Sequence, residues 1–340
     1  MMPTYYDPDI RAAKLVDLPV LRRLTEHASI LDSEMYCTRD TVGVHGALIS
    51  GGLWSRDHYT IVGKAHKQMI AGQIRIHPAD HLAQIVFVAP SVEEGDDNTP
   101  LLNLVDALAL VAGRRGAHML TAEVDELSPL FTTLRTANFA VYARQELWRA
   151  GLPLAGETTR FQPVTLTRET GDDAFDIQLL YSSIVPRLVQ PVVVPPPDCE
   201  GWVYRENGQV RGYITVSEGK NGIYVVPFLH PDIGTEQVAA VLAGALNALP
   251  RPEKRPITVC VRRYQDWLDT ALTMLGFEMC GQQAVMVRHI AAGVRHAAYP
   301  SLAQVLDTLP AAARTPTQRL IKTIRPLQPG EAVTPQWNVG

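Results

Sequence analysis

Leu272-Thr273-Met274-Leu275-Gly276-Phe277 reads as a joint where a helix ends and a strand begins. The helix extends upstream over Gln265 to Leu275, and the strand continues downstream from Glu278 to Arg288. A weaker copy of the joint, Asn138-Phe139, stands 138 residues before Gly276-Phe277, between a helix at Pro129 to Thr136 and a strand from Phe139 to Trp148. Gln145 precedes Gln283 by the same 138 residues. Thr121-Ala122-Glu123-Val124 stands 137 residues before Thr258-Val259-Cys260-Val261. Gly72-Gln73-Ile74-Arg75-Ile76 likewise parallels Gly212-Tyr213-Ile214-Thr215-Val216. An offset held across several elements marks an internal duplication.

Each copy carries the same element order. In the first, a short strand over Asp9 to Ala13 precedes a helix that Asp17 caps and Pro19 opens, and a second helix covers Thr41 to Gly52. Strands follow at His58 to Lys64, Ile70 to His77 and Leu82 to Ala89, with turn signals at Lys67-Gln68 and Pro78-Ala79-Asp80. Leu101 to Ala112 places its apolar residues at helical spacing, and Arg114-Arg115-Gly116 ends that helix. A buried strand, Met119 to Val124, leads to the helix before the first joint. In the second copy, strands Gly201 to Arg205 and Val210 to Val216 flank the turn Asn207-Gly208. Gly222 to Phe228 is a strand, Thr235 to Leu249 a helix and Ile257 to Val261 a strand.

The 340 residues suit two domains, with 46% hydrophobic and 19% charged residues, an ordinary globular balance. A net charge of −4 with scattered Arg and Lys gives no electrostatic footprint for nucleic acid. Cys37, Cys199, Cys260 and Cys280 share no short spacing, so a zinc knuckle or redox pair is not expected, and buried reduced thiols are. Neither a signal peptide nor a membrane-spanning run is present in the sequence, which fits a soluble cytoplasmic protein.

Strand, two helices, three antiparallel strands, helix, strand, helix, strand is the order of the GNAT N-acyltransferase superfamily, and Leu275-Gly276-Phe277 resembles that family's Leu-Gly-Phe ending. The chain thus resembles a tandem GNAT protein, over roughly residues 8 to 150 and 160 to 289. The resemblance implies an α/β fold of two domains, each a twisted mixed sheet flanked by helices. It also implies acyl transfer from acetyl-CoA or another acyl-CoA to the amine of a small molecule or peptide. The domains fall at 1–150 and 166–290, with a linker at 151–165 and a tail from Ala291 that suits either a strap across the domains or a homodimer contact.

In the family, a loop of the form Arg/Gln-x-x-Gly-x-Gly/Ala presents helix N-terminal amides to the CoA pyrophosphate. The first copy has Ser91-Val92-Glu93-Glu94-Gly95-Asp96-Asp97-Asn98-Thr99-Pro100 there, where four carboxylates surround the lone glycine and repel an anion. The second copy, Leu229-His230-Pro231-Asp232-Ile233-Gly234-Thr235-Glu236, keeps more of the pattern, although Asp232 and Glu236 oppose an anion. The cofactor is therefore expected along Val226 and Leu229, with its phosphates near His230, Ile233, Gly234 and Thr235. A tyrosine that protonates the leaving thiolate in many members is replaced by Leu134 and Leu272, so both copies are degenerate at this position. Tyr142 and Tyr264 lie nearby in sequence and read as core packing. Glu123 and Asp125, at a strand end, are candidates for a general base, with a paired or solvent-facing carboxylate as the plainer reading. Arg262 and Arg263 are candidates to hold an anionic substrate group bidentately, with a surface ion pair as the plainer reading. The alternative to catalysis is an inactive binding or assembly module on the same fold. Pro191 to Pro197 reads as a stiff extended segment that replaces a second helix.

Overall fold

A computed structural model describes residues 10–38, 57–65, 68–76, 81–150, 161–162, 164–193, 200–249 and 255–290. The expected helix at Thr41 to Gly52, most of the linker, Trp54, Cys199, residues 194–197 and the tail lie outside the described residues. The first half contains β1 (Arg11–Ala12), α1 (Leu18–Thr25), β2 (Ser29–Ile30), α2 (Ser33–Thr38), β3 (His58–Ala65), β4 (Gln68–Ile76) and β5 (Leu82–Ala89). It continues with α3 (Thr99–Arg114), β6 (Met119–Asp125), α4 (Pro129–Thr136) and β7 (Ala140–Ala150). The second half contains β8 (Thr167–Arg168), α5 (Ala174–Ile184), β9 (Glu200–Glu206), β10 (Gln209–Glu218) and β11 (Ile223–Leu229). It closes with α6 (Thr235–Ala248), β12 (Ile257–Arg262), α7 (Leu268–Met274) and β13 (Phe277–His289).

The mixed sheet flanked by helices is the architecture read from the sequence, but the halves do not keep separate sheets. Among the described residues the strands form one sheet in the order β1-β3-β4-β5-β6-β13-β7-β12-β11-β10-β9-β8, with β2 pairing β5 off this path. The last strand of each half sits inside the other. β13 pairs antiparallel with β6 of the first half, β7 pairs antiparallel with β12 of the second, and β7 and β13 pair with each other. Their register sets Gln145 opposite Gln283, the two residues related by the repeat.

Local chemistry accounts for the joints. Asn138 and Gly276 both adopt a left-handed backbone, with φ of 64° and 79°, so each ends its helix in the conformation that Asn tolerates and Gly adopts without strain. The turn between β9 and β10 uses positive φ at Asn207 and Gly208, which suits the twist of a tight hairpin. Ser128 caps α4 by accepting a hydrogen bond from the Leu130 N–H at 3.2 Å, and Pro129 fills the first helical position. The segment read as one helix from Gln265 is instead a 3-10 turn at Arg263–Gln265 followed by α7, which leaves the Gln265 side chain turned inward.

Strand alternation sorts the sheet into two faces. On one face, Leu120, Ala122 and Val124 of β6 pack in a core with Leu104 and Leu108 of α3 and Leu130 and Leu134 of α4. The corresponding core of the second half joins Val259 and Val261 of β12 to Val241 and Leu242 of α6 and Leu272 of α7. On the opposite face, α5 and Val185 to Val193 cover Val210, Tyr213, Phe228, Val285 and Val287. β13 spans these cores: Phe277 lies in the second, Ala284 and Met286 in the first, and Val285 and Val287 under α5. The halves therefore share their apolar interior, at roughly 1.5–3 kcal/mol for each large side chain taken from water.

Candidate functional site

The face opposite the helices α3, α4, α6 and α7 carries the polar residues of the central strands. Alternation along β6 puts Thr121, Glu123 and Asp125 on it, and alternation along β12 puts Thr258, Cys260 and Arg262 on it. Gln145 of β7 and Gln283 of β13 lie between these rows. Gln145 Nε2 donates to Gln283 Oε1 at 2.7 Å, and the Ser33 hydroxyl donates to the same oxygen at 2.6 Å. Cys260 Sγ donates to Gln145 Oε1 at 3.4 Å. Glu123 accepts the Ser33 backbone N–H at 2.9 Å and lies 3.4 Å from Arg262 Nη2. A buried polar network thus joins Ser33, Glu123 and Gln145 of one half to Cys260, Arg262 and Gln283 of the other.

This geometry revises several expectations. Arg262 is buried and its ion pair is internal, because the strand exchange brings the end of β12 beside Glu123; the expected surface pair is not what forms. Arg263 is exposed and does not share that site. Glu123 is engaged by a cation and an amide, while Asp125 is exposed and accepts the Leu127 N–H at 2.8 Å. Leu134 and Leu272, at the positions of the missing tyrosine, are fully buried core residues. The Tyr142 ring packs against the cluster beneath α5, as expected, and its hydroxyl lies exposed 2.5 Å from His289 Nε2. Burial pushes the Tyr264 phenol up to about 12 and the Cys37 and Cys260 thiols up to about 11, so these groups stay protonated at neutral pH. Cys280, expected to be buried, is exposed.

The two parallel strand pairs set the clefts. β5 and β6 pair from Leu82–Met119 to Gln84–Thr121, and β11 and β12 pair from Ile223–Ile257 to Val225–Val259. Beyond those residues the strands diverge, leaving edges whose amides and carbonyls need partners. In the first half the chain fills the gap. Ser29 and Ile30 pair with Val88 and Phe87, the Leu31 N–H donates to Val86 O at 2.9 Å, and Leu31 O accepts the Glu123 N–H at 3.0 Å. One extended segment thus satisfies both edges. In the second half Gln265, with no exposed surface, satisfies the edge of β11 alone with its side chain. Its Oε1 accepts the Leu229 N–H at 3.0 Å, and its Nε2 donates to Pro227 O at 2.9 Å. Neither filling was legible in the sequence: Ser29 to Leu31 lacks strand length, and Gln265 is one polar residue in a stretch of helical appearance.

The two helix-start loops also differ. In the first, Asp96 accepts the Glu93 N–H at 2.9 Å, and Asp97 accepts the Thr99 N–H at 3.0 Å and its hydroxyl at 2.6 Å, so the acidic loop binds its own donors. In the second, Gly234 is the N-cap of α6 without a side-chain bond, and no atom lies within 4 Å of where a Cβ would stand. Gly234 and Thr235 are exposed there, whereas Leu229 and Ile233 are core residues and Val226 packs against two apolar clusters. The expected cofactor residues therefore split between an open helix start, a packed interior and His230, which is partly exposed and lies 3.3 Å from Arg211 Nη1. Among the described residues no helix is long and apolar enough to cross a membrane, and no cluster of potential metal ligands occurs.

No family model matches the sequence, and no curated protein matches it. Among solved structures, the chain is similar to a tandem GNAT protein from the clavulanic acid biosynthesis pathway, at 13% identity and a TM-score of 0.49, over 83% of this chain and 98% of that one. A GCN5-related N-acetyltransferase from Sphaerobacter thermophilus aligns at 11% identity and a TM-score of 0.48, over 83% of this chain and 95% of that one. A putative acetyltransferase from Pyrococcus horikoshii aligns at 11% identity and a TM-score of 0.48, over 85% of this chain and 92% of that one.

Proposed function

We propose that this chain is a binding module built on an acyltransferase-type arrangement of strands, and that it does not transfer acyl groups. The observation that carries this reading is that the diverging edges are met from within the chain, both edges of the first pair by Ser29 to Leu31 and the β11 edge of the second by Gln265. An acyl-CoA expected along Val226 and Leu229 has to displace the Gln265 amide from two buried backbone groups, at about 1–3 kcal/mol for each group left without a partner. The residues left for chemistry support the same reading. Glu123 is tied to Arg262, and the leucines at the tyrosine positions donate no proton.

Titration of the full chain with acetyl-CoA in a calorimeter tests the proposal. The expected result is no saturable heat at near-millimolar ligand. Saturable heat that Gly234→Asp abolishes and Gly95→Asp leaves intact would instead support an N-acyltransferase seated in the second half, since the start of α6 is the loop that stays open.

A further inference from the structure

Outside the filled clefts, a cavity of about 340 Å³ lies where α5 crosses the end of the β9–β10 hairpin, a volume at the lower end of the range for small-molecule sites. Its apolar wall is Leu179 and Leu180 of α5 with Val210 of β10, and its charged groups are Asp176, Arg211 and His230. Their pairing is incomplete. Asp176 makes no ion pair or hydrogen bond among the described residues. Arg211 Nη1 reaches only His230 Nδ1 at 3.3 Å and the exposed carboxylate of Asp232 at 3.9 Å, a separation at which an exposed pair contributes little. His230 Nδ1 also accepts the Asp232 backbone N–H at 3.3 Å. Leu179, which lines the cavity, is 62% exposed on a helix whose other side is core.

A carboxylate and a guanidinium lining one cavity, with an aliphatic wall beside them, fit a ligand that carries both charges and an apolar body. We infer that this cavity binds a small zwitterion of the class of free aliphatic amino acids. Arg211 receives the carboxylate through its planar set of N–H donors, Asp176 receives the ammonium, and Leu179, Leu180 and Val210 contact the side chain. Asp232 competes for Arg211 from the loop after β11, and its exposure makes it the weaker partner once a ligand carboxylate is shielded in the cavity. The inference rests on the reading of the chain as a binding module and names the ligand of a cavity under α5 that shares His230 with the expected phosphate position.

The test is calorimetry of the full chain with L-leucine, with 4-methylpentanoate, which lacks the ammonium, and with 3-methylbutylamine, which lacks the carboxylate. Saturable binding of leucine is expected, weaker by roughly tenfold or more for each analogue and for each of Arg211→Ala and Asp176→Asn, the loss of one charged hydrogen-bond partner. Asp176→Asn changes one half-exposed side chain on the surface of α5, so it stays informative if Arg211→Ala disturbs the hairpin. Silence with leucine, equal binding of either analogue, or indifference to both substitutions overturns the inference. Leucine silence together with acetyl-CoA silence overturns this inference alone, whereas acetyl-CoA heat that Gly234→Asp abolishes and Gly95→Asp leaves intact overturns the binding-module reading itself.

Discussion

Replacing Gln265 by Leu isolates the contact that occupies the β11 edge where the second half's strands diverge. Leucine is close to glutamine in size, so the substitution opens little space; it removes one acceptor and one donor. The Leu229 N–H and the Pro227 carbonyl, bonded at 3.0 and 2.9 Å, are then left in a site with no solvent exposure at residue 265. At about 1–3 kcal/mol for each buried polar group without a partner, the loss comes to roughly 2–6 kcal/mol of folding stability. Gln265→Glu retains an acceptor for Leu229 but sets a carboxylate against the Pro227 carbonyl, and at neutral pH it should be at least as damaging. Urea unfolding followed by fluorescence of the five tryptophans measures the loss as a lower midpoint at unchanged slope. Hydrogen exchange supplies a local check, because the Leu229 amide should move from among the slowest to a faster class in the Leu variant. If Gln265→Leu stays within about 1 kcal/mol of the parent and Leu229 remains protected, the side chain does not stand in for a strand, and the closed-cleft argument fails with it.

Two further outcomes follow from the same geometry. Burial, with Glu146 and Asp266 close by, raises the Asp269 carboxyl to about 6. A carboxyl raised above its unfolded value contributes stability that is complete below about pH 4 and is lost as pH rises through about 6, so the parent should weaken across that window and Asp269→Asn should not; parallel profiles of the two proteins contradict this. A protease site placed between residues 150 and 161 should, once cut, leave the halves together on size exclusion, because β7 lies between β12 and β13. Separate elution of two folded halves refutes the strand exchange.

The duplication was legible because it acts through local chemistry. Asn138 and Gly276 announce left-handed helix ends, the Asn207-Gly208 turn announces a hairpin, and the apolar spacing of Leu101 to Ala112 announces a helix. The exchange of final strands was not legible. β7 and β13 have the same alternation whichever half they join, and pairing partners far apart in sequence leave no mark on local composition. The same reason hid the nature of the Arg262 pair. Arg262 and Glu123 are 139 residues apart, and only the inserted strands bring their faces together. α5 was also missed, since Phe175 and Leu179 on its exposed side blur the amphipathic pattern. Gln145 and Gln283 stood out only as a repeated letter, and their direct contact became visible once β7 and β13 were seen to pair.

That contact explains how the exchange is kept in register. A strand that slips by one residue turns every side chain to the other face. A slip of β13 against β7 would carry Val285 and Val287 out of the cluster beneath α5 and send Gln283 toward the core beneath α3 and α4. In the observed register, Gln283 Oε1 takes donors from Gln145 and Ser33 at once, and no neighbouring position on β13 offers a carboxamide to both. Gln282 comes nearest in sequence, but it points to the opposite face and bonds Glu146 at 3.2 Å near the surface. Buried polar groups of this kind add little net stability when satisfied and are expensive when they are not. Their effect here is to single out one alignment among apolar strands that would otherwise tolerate several. The same alignment brings Glu123 within reach of Arg262, so the network that fixes the exchange also occupies the carboxylate and the guanidinium that chemistry would have needed.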